Sequence, residues 1–443
     1  MRIESSAPTG LPAATGLPAD PLAGRRILVA ISGSIAAVKL PQLVSALAKR
    51  GAEVRCLLTP SAAALVSPVA LASLSRHRCY LDADQWSHLA GRPLHVELAE
   101  WAELVLLAPL SATSLARWVQ GMADTLLAST LLATEAPVLA AAAMNTSMWQ
   151  APAVQRNWQL LQAQQRVLPL APAPGLLACD RLGDGRMAEP AQLLVALESL
   201  ALWGWQRDWQ GLQLLVSAGP TREALDPARF LSNGSTGLMG VLLAQAARFR
   251  GAQVRLVHGP LALDPALLEG LHCTPVQTAA QMQAELLAVQ PDADAVAMAA
   301  AVADHRRAAP MASKLSKAEL ATALTADWQE VPDLLAELVA RKPAAQRILG
   351  FAAQTHLDPS GLGLPQARAK LARKGCDLLF ANPIDLPHAG FASGLNQGWL
   401  LDADGKETQL PLAPKLAIAH QLLSALRPAA AGPRDLDPVA SDR

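Results

Sequence analysis

One junction occurs twice in the chain: Arg50-Gly51-Ala52-Glu53-Val54-Arg55 returns as Arg250-Gly251-Ala252-Gln253-Val254-Arg255. Each copy closes the same pattern. An apolar run (Arg26 to Ile31, or Leu214 to Val216) leads into a turn of small residues (Ser32-Gly33-Ser34, or Ser232 to Gly237). Helical periodicity follows, over Ile35 to Lys49 and Leu238 to Phe249, up to a glycine stop. In the first copy the next strand is Val54 to Leu58. Strand, helix, strand in this order makes a right-handed crossover between parallel strands. The chain is therefore expected to be α/β, with two domains that each carry a mainly parallel sheet between helices. A dinucleotide site is not expected, since neither turn reads G-x-G-x-x-G and Thr59 and His258 stand where a ribose-binding acid belongs.

A length of 443 residues suits two such domains. The spacing predicts a helix from Pro190 to about Leu202, followed by tryptophan-rich LWGWQRDWQG, which puts the boundary near residue 205. The first domain then covers 25–205 and the second 206–428, with 1–24 a Pro-, Gly- and Ala-rich disordered leader and 429–443 a disordered tail. With 37 basic and 37 acidic residues there is no basic field for nucleic acid or an anionic membrane. Leu126 to Met144 is interrupted by Glu135 and Pro137, a helix followed by a strand and not a membrane span. Cys56, Cys79, Cys179, Cys273 and Cys376 are odd in number and unpaired in sequence, so a reducing cytoplasm is expected and a cysteine-based metal site is not.

Ligands of open parallel sheets gather at the C-terminal ends of the strands. Leu104 to Ala108 and Val138 to Ala141 read as further strands, ending in Pro109-Leu110-Ser111-Ala112-Thr113-Ser114 and in Ala143-Met144-Asn145-Thr146. Hydroxyls and bare N–H groups of that kind hold phosphate. In the second half the buried strand Ala293 to Ala303 ends at Asp304, whose carboxylate suits a ribose hydroxyl, a magnesium ion or a cap. Lys370 and Lys374 fall four apart on one helix face, and Phe351 offers a ring. Read alone, His95 in LHVEL is a half-buried strand histidine, Asn145 a turn residue, Cys179 a small buried hydrophobe and Lys314 a solvated loop residue. Gly175, Gly183 and Gly185 instead suggest that Cys179 sits in a mobile loop.

Longer strings decide more. SGSIAAVK (32–39), HVELAEWAELVLLAPLSATSLARWVQGMAD (95–124), AAMNTSMW (142–149) and LLACDRLGDGRM (176–187) are similar, in this order, to the flavin-binding cysteine decarboxylase family. AGPTREALDPARFLSN with GSTG, AVAD (301–304), the Lys314 motif, Pro332-Asp333-Leu334-Leu335, GFAAQT (350–355) and DLLFAN (377–382) resemble phosphopantothenate-cysteine ligases, often fused behind such a decarboxylase. The resemblance implies a flavodoxin/Rossmann-like first domain that binds FMN and a Rossmann-like second domain that binds CTP with Mg2+. It implies coenzyme A synthesis: CTP-dependent joining of cysteine to 4'-phosphopantothenate through an acyl-cytidylate, then oxidative decarboxylation of the product to 4'-phosphopantetheine. His95, Asn145 and Cys179 are then catalytic in the first domain, with Gly33, Ser34, Ser111 and Thr113 at the flavin phosphate. In the second, Asn233 and Lys314 are catalytic, and Met298, Ala299, Ala300, Asp304, Lys314, Pro332, Asp333, Leu334, Leu335, Phe351, Lys370 and Lys374 bind the nucleotide, Asp304 also bearing magnesium. Trimeric flavin domains and dimeric ligase domains are implied too.

The sequence departs from the pattern at Leu238, Ser316, Gln354 and Glu330-Val331 in the ligase half, and at Ala142 and Asp180 in the other. Fewer lysines leave two rivals open. One is a flavin decarboxylase of another cysteine-ended substrate, the other a flavin-containing regulatory binding subunit.

Overall fold

The computed structural model describes residues 20–87, 91–178, 180–355, 357, 363–386, 388–391 and 393–428. The first half contributes β1 (Arg26–Ile31), β2 (Glu53–Leu58), β3 (Cys79–Leu81), β4 (Leu104–Leu110), β5 (Val138–Ala142) and β6 (Val167–Leu170), then the hairpin β7 (Ala173–Leu176) and β8 (Leu182–Arg186). The second contributes β9 (Gln213–Ala218), the hairpin β10 (Arg222–Asp226) and β11 (Arg229–Ser232), β12 (Gln253–His258), β13 (His272–Pro275) and β14 (Ala295–Met298). A short pair, β15 (His305–Arg307) and β16 (Trp328–Glu330), precedes β17 (Arg347–Gln354), β18 (Leu378–Pro383), β19 (Leu395–Asp402) and β20 (Glu407–Pro414).

The first sheet runs β3-β2-β1-β4-β5-β6 and the second β13-β12-β9-β14-β17-β18-β19-β20. All pairings are parallel except β18–β19 and β19–β20. β1 and β9 are equivalent: each is flanked by the strand after the repeated junction and by a later one, so strand order reverses beside each. Helices cover both faces. Ile27, Val29 and Ile31 point into one core cluster and Leu28 and Ala30 into the other, and Leu214, Val216 and Leu215 divide in the same way. Burial on both sides explains the near-continuous apolar runs.

Several expectations are corrected. The leader does not extend to residue 24: Leu22 is fully buried in the core and Asp20 accepts two hydrogen bonds from Arg50. Residues 1–19 and the expected tail lie outside the described residues. The helix after β1 begins as a 3-10 turn, Ile35–Lys39, before Leu40–Lys49, with Pro41 at the start of the α-helical part. LHVEL is helical, opening the Leu94–Trp101 helix behind Pro93. The strand expected at 293–303 is only the four residues of β14, because its chain then leaves the sheet toward Asp304. Between β9 and the Leu238–Phe249 helix stands a hairpin, β10–β11, where a plain loop was expected.

The two halves meet through the Pro190–Trp203 and Lys415–Leu426 helices. Arg250 caps the Leu238–Phe249 helix and is 1% exposed. It chelates Asp208 at 2.9 and 2.6 Å, donates to the His420 carbonyl at 2.9 Å, and lies 3.8 Å over the Trp203 ring. His420 stacks on Trp203 and meets Ser199 Oγ at 3.0 Å. Burial first, then the Arg250 charge, pushes its pKa down to about 3. Folded His420 thus stays neutral where the unfolded chain takes up a proton, and stability present above the ordinary value of 6.5 is lost as pH falls toward 3. Unfolding free energy is expected to fall more steeply in the wild type than in His420→Gln between about pH 6 and 4, by up to ~1.4 kcal/mol per pH unit. Parallel denaturant titrations of the two proteins measure the difference.

Candidate functional site

Two crevices form where strand order reverses, as the topology requires of open α/β sheets. In the first, Ser32 joins the loops after β1 and β4. Its fully buried Oγ donates to the Pro109 carbonyl at 2.7 Å and accepts from Ser111 N at 2.8 Å. Gly33 admits no side chain, since a Cβ there would lie 2.5 Å from Ser61 Cβ. Ser34 starts the 3-10 turn without a side-chain cap, Ser111 caps the Ala112–Val119 helix, and Thr113 is exposed in its first turn. The two loops that carry the expected phosphate donors are thereby joined. Ser32, which holds them there, was not singled out in the sequence because a serine in a turn carries no distinguishing signal.

The Asn145 turn follows β5. Asn145 Oδ1 accepts from Ser147 N at 2.9 Å, which fixes the carboxamide at the start of the Thr146–Gln150 helix. Against this turn lies the β7–β8 hairpin, where a mobile loop was expected. Met144 N donates to Gly185 O at 3.1 Å. Side chains at Gly183 and Gly185 would meet Thr146 Oγ1 at 2.5 Å and Met144 O at 2.4 Å. These glycines serve close approach rather than freedom of the chain. The β8 strand of the hairpin is thus held against the Asn145 turn; Cys179 lies outside the described residues. Leu176 and Leu182 in that hairpin are 63% and 81% exposed, an apolar surface suited to cover a ligand. His95 stands in the first turn of its helix with Nδ1 buried and unpartnered among the described residues.

The second crevice has two adjoining cavities. One, of about 380 Å³, is lined by Met298, Ala300, Asp304, Pro332, Asp333, Leu334, Leu335, Phe351, Lys370 and Lys374. Ten expected nucleotide-site positions converge here from four separate stretches of chain. Lys370 and Lys374 project from the Leu364–Lys374 helix, and Asp333, which caps the Leu334–Arg341 helix, pairs with Lys374. Burial, reinforced by Lys374 and Arg373, holds the Lys370 pKa below the usual lysine range. The Phe351 ring stands edge-on to Phe380, centroids 5.7 Å apart.

The neighbouring cavity, about 440 Å³, shares Ala300, Val302, Asp304, Phe351 and Lys370 with the first. Ala299 and Asn233 line it, and Asn233 Nδ2 donates to the carbonyls of Ala301 and Val302 at 3.0 and 3.1 Å, joining the loops after β9 and β14. Leu238 lines it as well. Lys415, missed in the sequence because it is one lysine at the start of an apolar helix, reaches the same wall. Lys314 is the exception. It is exposed and lines neither cavity, and Leu315 beside it is held to the β10–β11 hairpin through Asp226 and Arg229. Among the described residues no three carboxylate, imidazole or thiol groups gather as a metal cluster, so Asp304 offers a single carboxylate. No helix among them is long and apolar enough to cross a membrane.

Residues 17–201 match the family described as "Flavoprotein", and residues 209–429 match "DNA/pantothenate metabolism flavoprotein C-terminal domain". The coenzyme A biosynthesis bifunctional protein CoaBC of Bacillus subtilis is 37% identical over 403 residues, covering 91% of this chain and 96% of that protein. The protein of that name from Escherichia coli is 38% identical over 406 residues, with 91% and 96% covered. That of Mycolicibacterium smegmatis is 38% identical over 414 residues, with 91% and 97% covered.

Gly185→Ala is expected to lift the hairpin off the Asn145 turn, since the clash is with backbone. Overpacking of this kind costs about 1–3 kcal/mol, which would speed exchange of the Met144 amide roughly 10- to 100-fold. Hydrogen-exchange mass spectrometry over residues 140–150 reads it.

Proposed function

The chain belongs to the family of coenzyme A biosynthesis bifunctional proteins, and on that premise we propose how its residues divide the work. The 206–428 domain joins cysteine to 4'-phosphopantothenate with CTP; the 25–205 domain decarboxylates the resulting phosphopantothenoylcysteine to 4'-phosphopantetheine. The observation that carries this reading is the pair of cavities sharing Asp304, Phe351 and Lys370. A carboxylate that must attack an α-phosphate needs both substrates seated side by side, with the reacting groups at the common wall.

CTP occupies the smaller cavity, its base against Phe351 and its phosphates met by Lys370 and Lys374, with Asp333 keeping Lys374 in place. Asp304 is the residue that would hold Mg2+, a single carboxylate being enough for an ion that takes one or two and otherwise binds phosphate and water. The acid lies in the larger cavity. Its carboxylate displaces pyrophosphate to give the acyl-cytidylate, Asn233 positions the acyl carbonyl, and the amine of cysteine then expels cytidine monophosphate. Lys314 stabilises the charge that develops on the α-phosphate, which requires its segment to swing toward the cleft as the nucleotide binds.

In the first domain the crevice between β1 and β4 suits FMN, because Ser34, Ser111 and Thr113 offer donors on the two loops that Ser32 joins, where Gly33 lets the chain pass close to Ser61. FMN bound there would take up two electrons as the substrate thiol is oxidised and give them back after decarboxylation, which makes the overall conversion to 4'-phosphopantetheine redox-neutral. His95 takes the thiol proton. Asn145 holds the carboxylate that is lost, and Cys179 returns a proton to the enethiolate. Loss of carbon dioxide is easy once the adjacent carbon is oxidised. The protein is cytoplasmic, with trimeric flavin domains and paired ligase domains.

Mass spectrometry of the purified chain with 4'-phosphopantothenate, cysteine, Mg2+ and CTP should show 4'-phosphopantetheine; product only from supplied phosphopantothenoylcysteine would remove the ligase assignment. Lys314→Gln is expected to slow ligation by roughly 100-fold or more while sparing decarboxylation. Cys179→Ala should accumulate the oxidised, decarboxylated enethiol, and normal 4'-phosphopantetheine output from it would end the assignment of Cys179.

A further inference from the structure

Lys415 begins the Lys415–Leu426 helix, yet its side chain turns inward and is 2% exposed. Nζ donates to Gly390 O at 2.7 Å and Phe391 O at 3.2 Å. The Phe391 carbonyl also accepts from Thr236 Oγ1 at 3.2 Å, so one oxygen ties the Gly390-Phe391 turn to the loop after β9 and to Lys415. Two carbonyls engage two of the three N–H donors of an ammonium. They supply no counter-charge. Burial alone, with no carboxylate among the described residues to offset it, brings the Lys415 pKa down to about 8. A buried charge is tolerated when paired, and here the side open to a partner is the larger cavity of the second crevice.

Position in that cavity narrows the partner. Lys370 lines both cavities and Lys374 only the smaller one, whereas Lys415 lines only the larger. It therefore stands at the end that the nucleotide cleft does not share. The first turn of the Leu238–Phe249 helix lines this cavity too, and Gly237 at its cap is left-handed and makes no side-chain cap. On the ligation reading above, on which this inference rests, the carboxylate of the acid must face the shared wall. The opposite end of the molecule, its phosphate, then faces Lys415. We propose that Lys415 is the specificity-determining residue for the acid substrate, pairing with its phosphomonoester while holding the Gly390-Phe391 turn in place.

The test uses the full chain and two variants. Lys415→Gln keeps a donor for the turn and removes the charge; Lys415→Arg keeps the charge. Ligation is followed with 4'-phosphopantothenate and CTP varied in turn, and with unphosphorylated pantothenate as competitive inhibitor. A charge-assisted contact is worth about 1.5–3 kcal/mol, so Lys415→Gln should raise KM for 4'-phosphopantothenate about 10- to 100-fold. KM for CTP, Ki for pantothenate and kcat should stay within about 3-fold, and Lys415→Arg should recover most of the loss. Equal weakening of pantothenate and its phosphate ester would reduce Lys415 to a support of the turn and overturn the proposal. A selective rise in KM for CTP would assign the lysine to the triphosphate and overturn it as well. If Lys415→Gln fails to fold, Lys415→Arg and Lys415→Met are compared in the same way. If the wild-type chain forms no product at all, the ligation reading fails; calorimetric Kd values for 4'-phosphopantothenate with wild type and Lys415→Gln then decide the lysine's role, and equal values refute it.

Discussion

Parallel strands cannot be joined by a tight turn, so each addition to such a sheet sends the chain across one face with a fixed hand. Starting from a first strand, the chain must build outward on one side and then return to build on the other. That return leaves loops diverging on either side of one crevice. In this protein β1 and β9 each occupy that first place, with β2 and β12 on one side and β4 and β14 on the other. The site residues follow from it. Ser32 and Ser111 meet across the first crevice, and Asn233 meets the carbonyls of Ala301 and Val302 across the second.

The repeated junction also has a physical role. Arg50 and Arg250 each cap the helix that returns from the first strand, a cation where the helix dipole is negative. Each grips an aspartate just ahead of that strand, Asp20 for one and Asp208 for the other. The entering chain is thereby pinned to the end of the first crossover, closing a loop in both halves. Arg50 adds an ion pair to Glu198, and Arg250 a cation–π contact with Trp203. Both of these second partners lie on the Pro190–Trp203 helix. Leaving the buried Arg250 charge without its partner costs about 3–5 kcal/mol, well above a surface ion pair.

What was legible in the sequence was local or periodic. The boundaries of the Leu238–Phe249 helix, the parallel sheets and the shared face of Lys370 and Lys374 all rest on spacing, and spacing survives folding. His95 was misplaced because LHVEL alternates as a strand does, and only Pro93 and the neighbouring helix make it helical. Gly183 and Gly185 look like marks of mobility in a sequence, since the Met144 carbonyl and Thr146 hydroxyl that exclude a side chain there lie far away in the chain. Ser32 and Lys415 escaped for the same reason: their partners belong to other elements. Asp304, Phe351 and Pro332 to Leu335 were placed at one site through family resemblance, and the fold brings them to one cavity. Lys314 came from the same resemblance and stands apart from it, anchored on a hairpin that the apolar pattern did not reveal.

The Pro190–Trp203 helix belongs to neither half alone. Leu193, Ala196, Leu197 and Leu200 complete the core under the first sheet, while Val195 and Leu202 lie against the core of the second. Phe249, from the second half, is in turn part of the first core. A linker in the usual sense therefore does not exist here: the covalent boundary and the packing boundary fall in different places. Cutting the chain after this helix would strip one wall from the second core, and cutting before it would open the first, so either fragment would carry a sticky apolar scar into solution.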